Sequence, residues 1–152
     1  MLTTGTIAPL FTLPDDSGSL ISLKSLRGSP VVLFFYPKDN TAGCTAEACS
    51  FRNQWAAVRK SGALVYGISP DGEASHRKFR TRFKLPFPLL VDADHAVAEA
   101  YEVWAEKRLF GHRYFGILRT TFLIDPKGRI GKIFERVNPL GHAGLVLEAL
   151  NA

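Results

Sequence analysis

Short apolar runs closed by proline or glycine alternate along this chain with longer stretches of helical periodicity, which predicts strands traded with helices. Val31-Val32-Leu33-Phe34-Phe35-Tyr36 is β-branched and aromatic and is ended by Pro37, so it reads as a buried strand. From Cys44 to Lys60 there is neither proline nor glycine. Ala48, Phe51, Trp55 and Val58 recur there at spacings of three and four, predicting one helix whose inward stripe is headed by Cys44. Cys49 shares the opposite, solvated side with Arg52, Asn53, Ala56 and Lys60.

The remaining pattern gives an opening hairpin, residues 10–13 and 20–23 around Asp15-Asp16-Ser17-Gly18, then a strand at 63–69 and a helix at 73–83. A strand at 87–91 and a helix at 95–101 follow. Strands at 119–124 and 129–134 flank Asp125-Pro126-Lys127-Gly128, and a helix at 141–150 closes the chain. Strands alternating with helices, then a hairpin and a helix, predict an α/β fold in three layers. One domain spanning 1–152 is the natural count for this length.

Composition changes the picture little: 46% hydrophobic and 22% charged residues are globular values without repeats or low-complexity tracts. The start, Met1-Leu2-Thr3-Thr4-Gly5-Thr6, has no basic n-region and no long apolar core, and no apolar run approaches a membrane span. A cytoplasmic setting is therefore expected, where paired cysteines are more often catalytic than structural. The net charge of +5 and the run His76-Arg77-Lys78-Phe79-Arg80-Thr81-Arg82-Phe83-Lys84 invite a nucleic-acid reading. Phe79 and Phe83 lie one helical turn apart, however, and predict an amphipathic helix with the basic residues on its solvated face; no nucleic-acid motif accompanies it. The segment from Trp104 to Gly116 is aromatic and basic as well, and reads as a loop beside the site or as a docking surface for a reductant.

The chemistry concentrates at one place. Cys44 stands at a strand-to-helix turn, in the first helical turn, where unpaired N–H groups and the helix dipole stabilise an anion. Two cysteines supply too few ligands for zinc, and no histidine is close in sequence to either. Asp92, Asp94 and His95 suggest a metal set less well than they suggest an N-cap at Asp94. His142 is a lone histidine near a helix start, and no phosphate-binding glycine loop is present. Glu47 reads as structural or loop-ordering, with an influence on the thiolate as the alternative.

The spacing Pro37-x-x-x-Thr41-x-x-Cys44 resembles the active-site signature of peroxiredoxins. Cys49 and Arg119-Thr120-Thr121-Phe122-Leu123-Ile124-Asp125 extend the likeness to the Q-type subgroup, the bacterioferritin comigratory proteins. That subgroup commonly reads Thr-Pro-Gly-Cys, and here Ala42 replaces the proline, adding an N–H and leaving φ freer. The resemblance implies a thioredoxin-like α/β/α sandwich with an N-terminal β-hairpin, working as a monomer without cofactor or metal. It implies Cys44 as the peroxidatic cysteine, Cys49 as the resolving cysteine and Arg119 as the arginine facing the thiolate. Peroxides would be the substrates and thioredoxin the expected donor, with no role for nucleic acid or membrane. Thr41 could orient the peroxide or cap the helix, two roles that compete for one oxygen. A disulfide oxidoreductase of thioredoxin type, which wants Cys-x-x-Cys, and a noncatalytic chaperone are the rival readings.

Helix geometry adds one expectation. Five residues along a continuous helix give a rise of ~7.5 Å and a Cα separation of ~8.6 Å. A disulfide needs about 7 Å or less, so bridging Cys44 and Cys49 requires the helix to unwind.

Overall fold

The computed structural model describes residues 2–151. Thr12–Pro14 (β1) pairs antiparallel with Leu20–Ser22 (β2). Their turn is closed by Asp15, whose Oδ1 accepts from the backbone of Ser17 and Ser19. The Asp16 carboxylate at the tip takes both a guanidinium nitrogen of Arg80 and the amide of Leu89, which ties the hairpin to the body of the protein.

Val31–Phe35 (β3) is buried along its whole length because it is the middle strand of five. It runs parallel to Leu64–Ser69 (β4), which runs parallel to Leu89–Val91 (β5). On its other side it pairs antiparallel with Thr120–Ile124 (β8), which pairs with Ile130–Phe134 (β9). The period-2 alternation of β3 divides the core. Val32, Phe34 and Tyr36 face one layer, and Val31, Leu33 and Phe35 face the other.

Onto the first face pack Ala42–Asn53 (α1), Trp55–Lys60 (α2), Glu73–Phe83 (α3) and His142–Leu150 (α5), through Cys44, Ala48, Phe51, Val58, Phe79, Ala143 and Val146. Phe51 stacks on Phe34 at 5.1 Å between ring centres, and Phe87 meets both edge-on. Each such buried ring contributes roughly 2–3 kcal/mol through burial. The opposite face carries a 3-10 turn at Leu23–Leu26, the N-terminal hairpin and Ala96–Ala100 (α4), with Tyr101 and Val103. Helices on both faces of a mixed sheet give the α/β sandwich of the thioredoxin-like fold. Among the described residues no helix is long and apolar enough to cross a membrane.

Four expectations need correction. The single helix over 44–60 is two helices, broken at Gln54 (φ −102°, ψ 15°), whose amide still reaches the Ser50 carbonyl. The break puts Trp55, which packs on Phe87, beyond the end of α1. The expected loop over 104–116 is an antiparallel hairpin, Trp104–Leu109 (β6) with His112–Ile117 (β7). Its two-residue turn, Phe110-Gly111, has positive φ at both positions, the primed geometry that matches strand twist. The N-cap of α4 is the left-handed His95 rather than Asp94: the amides of Val97 and Ala98 donate to the two oxygens of Asp92, while Asp94 accepts only from Ala96. His76 is not on the solvated face of α3 but fully buried, one turn before Phe79.

Candidate active site

The site lies where β3 ends and α1 begins. Tyr36 closes the strand, and Pro37 follows with a fixed φ and no N–H to satisfy. Asn40 adopts a left-handed turn (φ 61°), and Thr41 returns to extended geometry (φ −82°, ψ 154°) as the residue preceding α1. Its carbonyl accepts the first helical bond, from Thr45. Its hydroxyl does not cap the helix but donates to the Lys38 carbonyl at 2.8 Å. With that proton committed and no helix amide bonded to the side chain, the oxygen's lone pairs are what Thr41 has to offer a ligand.

Cys44 occupies the third position of α1 and is 1% exposed. Arg119, immediately before β8, donates from Nη2 to Cys44 Sγ at 3.3 Å and from Nη1 to Glu47 Oε1 at 2.8 Å. One planar cation thus holds a sulfur and a carboxylate in a fork that lysine could not reproduce. Burial works against the Arg119 charge, but Cys44 and Glu47 outweigh it and raise its pKa. Glu47 is fully buried. Burial pushes its pKa from 4.5 up to about 7, despite the opposing pull of Arg119. Its second oxygen, Oε2, has no hydrogen-bond partner among the described residues.

Gly43 is shaped by the same cluster. A Cβ there would lie 3.1 Å from Arg119 Nη2 and 3.7 Å from Pro139, so the residue before the cysteine must be small for the guanidinium to reach the sulfur. Lys107 of β6 also feels the site: burial and then the charge of Arg119 lower its pKa, while Cys44 opposes that shift. Lys107, paired with Tyr114 towards the tip of the β6–β7 hairpin, lines one cleft together with Arg119. His142, in the first turn of α5, shares a hydrogen bond with Thr121 Oγ1 and meets Phe51 and Phe134 edge-on. Burial and then Arg119 lower its pKa to about 4, so it is a neutral core residue.

Of the residues expected from sequence, Cys44 and Arg119 are in contact, and Thr41 and Pro37 lie on the turn leading into the helix that carries the thiol. Cys49 is half-buried, and both cysteines are free thiols on the unbroken α1. Sequence reasoning gave Glu47 no partner, and it missed His76 and Asp39, whose Nδ1 and Oδ2 lie 2.7 Å apart. The spacing from His76 through Phe79 to Phe83, three and then four, was the available signal; the surrounding positive charges hid it.

Residues 4–133 match the model of the AhpC/TSA family. The chain is 44% identical to the peroxiredoxin Bcp of Bacillus subtilis over 146 residues, covering 96% of this chain and 93% of that one. With the peroxiredoxin Bcp of Escherichia coli the identity is 41% over 149 residues, covering 98% and 96%. Among solved structures, the bacterioferritin comigratory protein of Xanthomonas campestris, studied for alkyl peroxide reduction, superposes with a TM-score of 0.90. It is 35% identical over 99% of this chain and 96% of its own. A peroxiredoxin Q of Xylella fastidiosa superposes at 0.94, with 32% identity and the same coverage. Matched by the family model over most of its length and by these relatives over nearly all of it, the chain belongs to the AhpC/TSA family, in its peroxiredoxin Bcp branch.

Proposed function

We propose that this chain is a thiol-dependent peroxidase that reduces hydrogen peroxide and organic hydroperoxides through Cys44. The observation that carries this reading is the 3.3 Å contact between Arg119 Nη2 and the buried Cys44 sulfur. The Cys44 thiolate attacks one peroxide oxygen, the O–O bond breaks, and the second oxygen leaves as hydroxide or alkoxide and takes up a proton. Cys44 is left as a sulfenic acid. The Cys49 thiol then attacks that sulfur, water leaves, and a Cys44–Cys49 disulfide forms. An external dithiol, for which thioredoxin is the natural candidate, reduces it by exchange.

Ionisation alone does not explain such a reaction. Complete ionisation of an ordinary thiol at pH 7 multiplies its thiolate fraction by only about thirtyfold, and nucleophilicity falls as the thiol becomes more acidic. Direct stabilisation of the transition state must supply the rest. Arg119 can span the sulfur and the oxygen on which charge develops, and Thr41 Oγ1 can accept the peroxide proton and fix its orientation. The same reading makes the chain one catalytic domain acting as a cytoplasmic monomer.

Peroxide consumption driven by dithiothreitol tests it. Wild type should turn over, and Cys44→Ser should show no consumption above buffer. Cys49→Ser should react once and then stall or overoxidise. Equal loss of the first turnover in both variants would overturn the assignment of roles.

A further inference from the structure

We propose that His76, protonated on both ring nitrogens and clamped to Asp39, is a positioning residue for Thr41. This inference rests on the peroxidase reading above, because Thr41 is the group it is said to aim.

His76 sits on α3, 37 residues from Asp39 in sequence, and neither is exposed. Nε2 lies 2.7 Å from the Leu90 carbonyl, which can only accept, so Nε2 carries a proton. Nδ1 lies 2.7 Å from Asp39 Oδ2. Asp39 Oδ2 also accepts from the Ser75 hydroxyl at 2.8 Å, and Oδ1 accepts from the Tyr36 phenol at 2.6 Å. With the Ser75 and Tyr36 hydroxyls both donating to Asp39, its oxygens are best used as acceptors, and Nδ1 is the group placed to donate to Oδ2. Every side-chain polar atom of the pair is satisfied, the condition under which a buried ion pair is tolerated.

The groups facing the imidazole from neighbouring elements agree. Asp39 and Tyr36 come from the turn after β3, Asp71 from the end of β4, Ser75 from α3 itself and the Leu90 carbonyl from β5. Burial lowers the His76 pKa, but Asp39, Leu90 and Asp71 outweigh it and the net shift is upward. Burial, then Asp39, pushes the Tyr36 phenol well up, so it remains a donor. Asp39, Asp71 and His76 bring ligand-type atoms within 4.8 Å of one another, yet the proton on Nδ1 denies that nitrogen to a cation.

The clamp reaches the site through the backbone. The Asp39 amide donates to Asp71 Oδ2 at 2.8 Å, and Asp71 is held in turn by the Ser69 hydroxyl at 2.7 Å. Asp39 is therefore fixed by its amide and by both carboxylate oxygens. Its two neighbours are the left-handed Asn40 and Lys38, whose carbonyl takes the Thr41 proton. Fixing Asp39 fixes that carbonyl, and the carbonyl sets the direction of the Thr41 lone pairs.

A double-mutant cycle on the full chain tests this, reading the second-order rate of Cys44 oxidation by hydrogen peroxide at pH 7 in stopped flow. Thr41→Val and His76→Asn should each slow the reaction about tenfold or more, and the double variant should be no more than about twofold slower than the worse single one. Rates that multiply, or a His76→Asn variant as fast as wild type, would overturn the proposal. A wild type that consumes no peroxide would instead defeat the peroxidase reading, which separates the two failures. Should His76→Asn not fold, nitrogen-15 NMR of the wild-type imidazole decides: both ring nitrogens must carry protons at pH 7, and a singly protonated ring contradicts the clamp.

Discussion

Two buried ion pairs flank the start of α1, and they differ in how completely they are satisfied. In the pair of His76 and Asp39 each ring nitrogen and each carboxylate oxygen has a partner. In the pair of Arg119 and Glu47 one carboxylate oxygen has none among the described residues, and the guanidinium is shared with the Cys44 sulfur. A fully satisfied pair in a low-dielectric interior has one best arrangement and resists change. A half-satisfied pair is poised to redistribute its bonds. In the proposed mechanism the first holds the turn before the helix, and the second follows charge as it moves from sulfur to the departing oxygen.

Removing the shared cation should break the contrast most severely. Arg119→Ala takes away a charged donor aimed at the reacting atoms, an expected cost of about 3–4 kcal/mol, or a few hundredfold in the stopped-flow rate with peroxide. Arg119→Lys keeps the charge and loses the fork, and should still slow the reaction at least about tenfold. Wild-type rates in both variants would remove Arg119 from the site.

Glu47 sharpens the comparison through pH. Its folded pKa of about 7 lies above 4.5, so folding favours the protonated form. The resulting stability is complete below about pH 4.5 and is lost as pH rises through about 7. Wild type should therefore lose on the order of 3 kcal/mol relative to Glu47→Gln across that window in urea unfolding. His142 acts in the opposite sense, since its lowered pKa makes stability fall as pH drops from 6.5 toward 4. Its contribution cancels in the difference between the two proteins. A pH-independent difference would show that Glu47 is not held in the buried state described here.

The smallest effect concerns Gly43 and has two signs. Alanine at a helical position should favour α1 by up to about 1 kcal/mol through propensity. Its methyl group would meet Arg119 Nη2 at 3.1 Å, pressing the guanidinium off the sulfur. Thermal unfolding should show a variant about as stable as wild type, and stopped flow a reaction slower by roughly threefold, ~0.7 kcal/mol. A slower reaction with strongly reduced stability would point to general disruption instead.

The same contrast explains what was legible in the sequence. The thiol end of the site is contiguous: strand, proline, threonine and cysteine fall within Val31 to Cys44, so period and spacing expose it. Arg119, 75 residues downstream of Cys44, was reachable only by resemblance to a family motif. Asp39 had neither aid, and the spacing that sets His76 with Phe79 was hidden by the charges around it; both become informative only when β4, α3 and β5 bring Asp71, Ser75 and the Leu90 carbonyl around them. The β6–β7 hairpin escaped for another reason. Phe110 and Phe115 are exposed, so neither face alternates cleanly, and the Phe110-Gly111 turn was the one local sign. At Gln54 no proline or glycine announces the break, and the inward stripe from Phe51 to Trp55 continues across it.

In the proposed mechanism two thiols on one intact helix react in turn, the buried one first, and α1 must yield for the second to reach it. Amide exchange before and after one equivalent of hydrogen peroxide tests it most directly, with peptide mapping of the cysteines in the same samples. A Cys44–Cys49 disulfide should form, protection should be lost from Thr41 to about Phe51, and α2 beyond the Gln54 break should keep its own; Cys49→Ser should show none of the disulfide-dependent loss. Quantitative disulfide formation with α1 as protected as in the reduced protein would contradict the account.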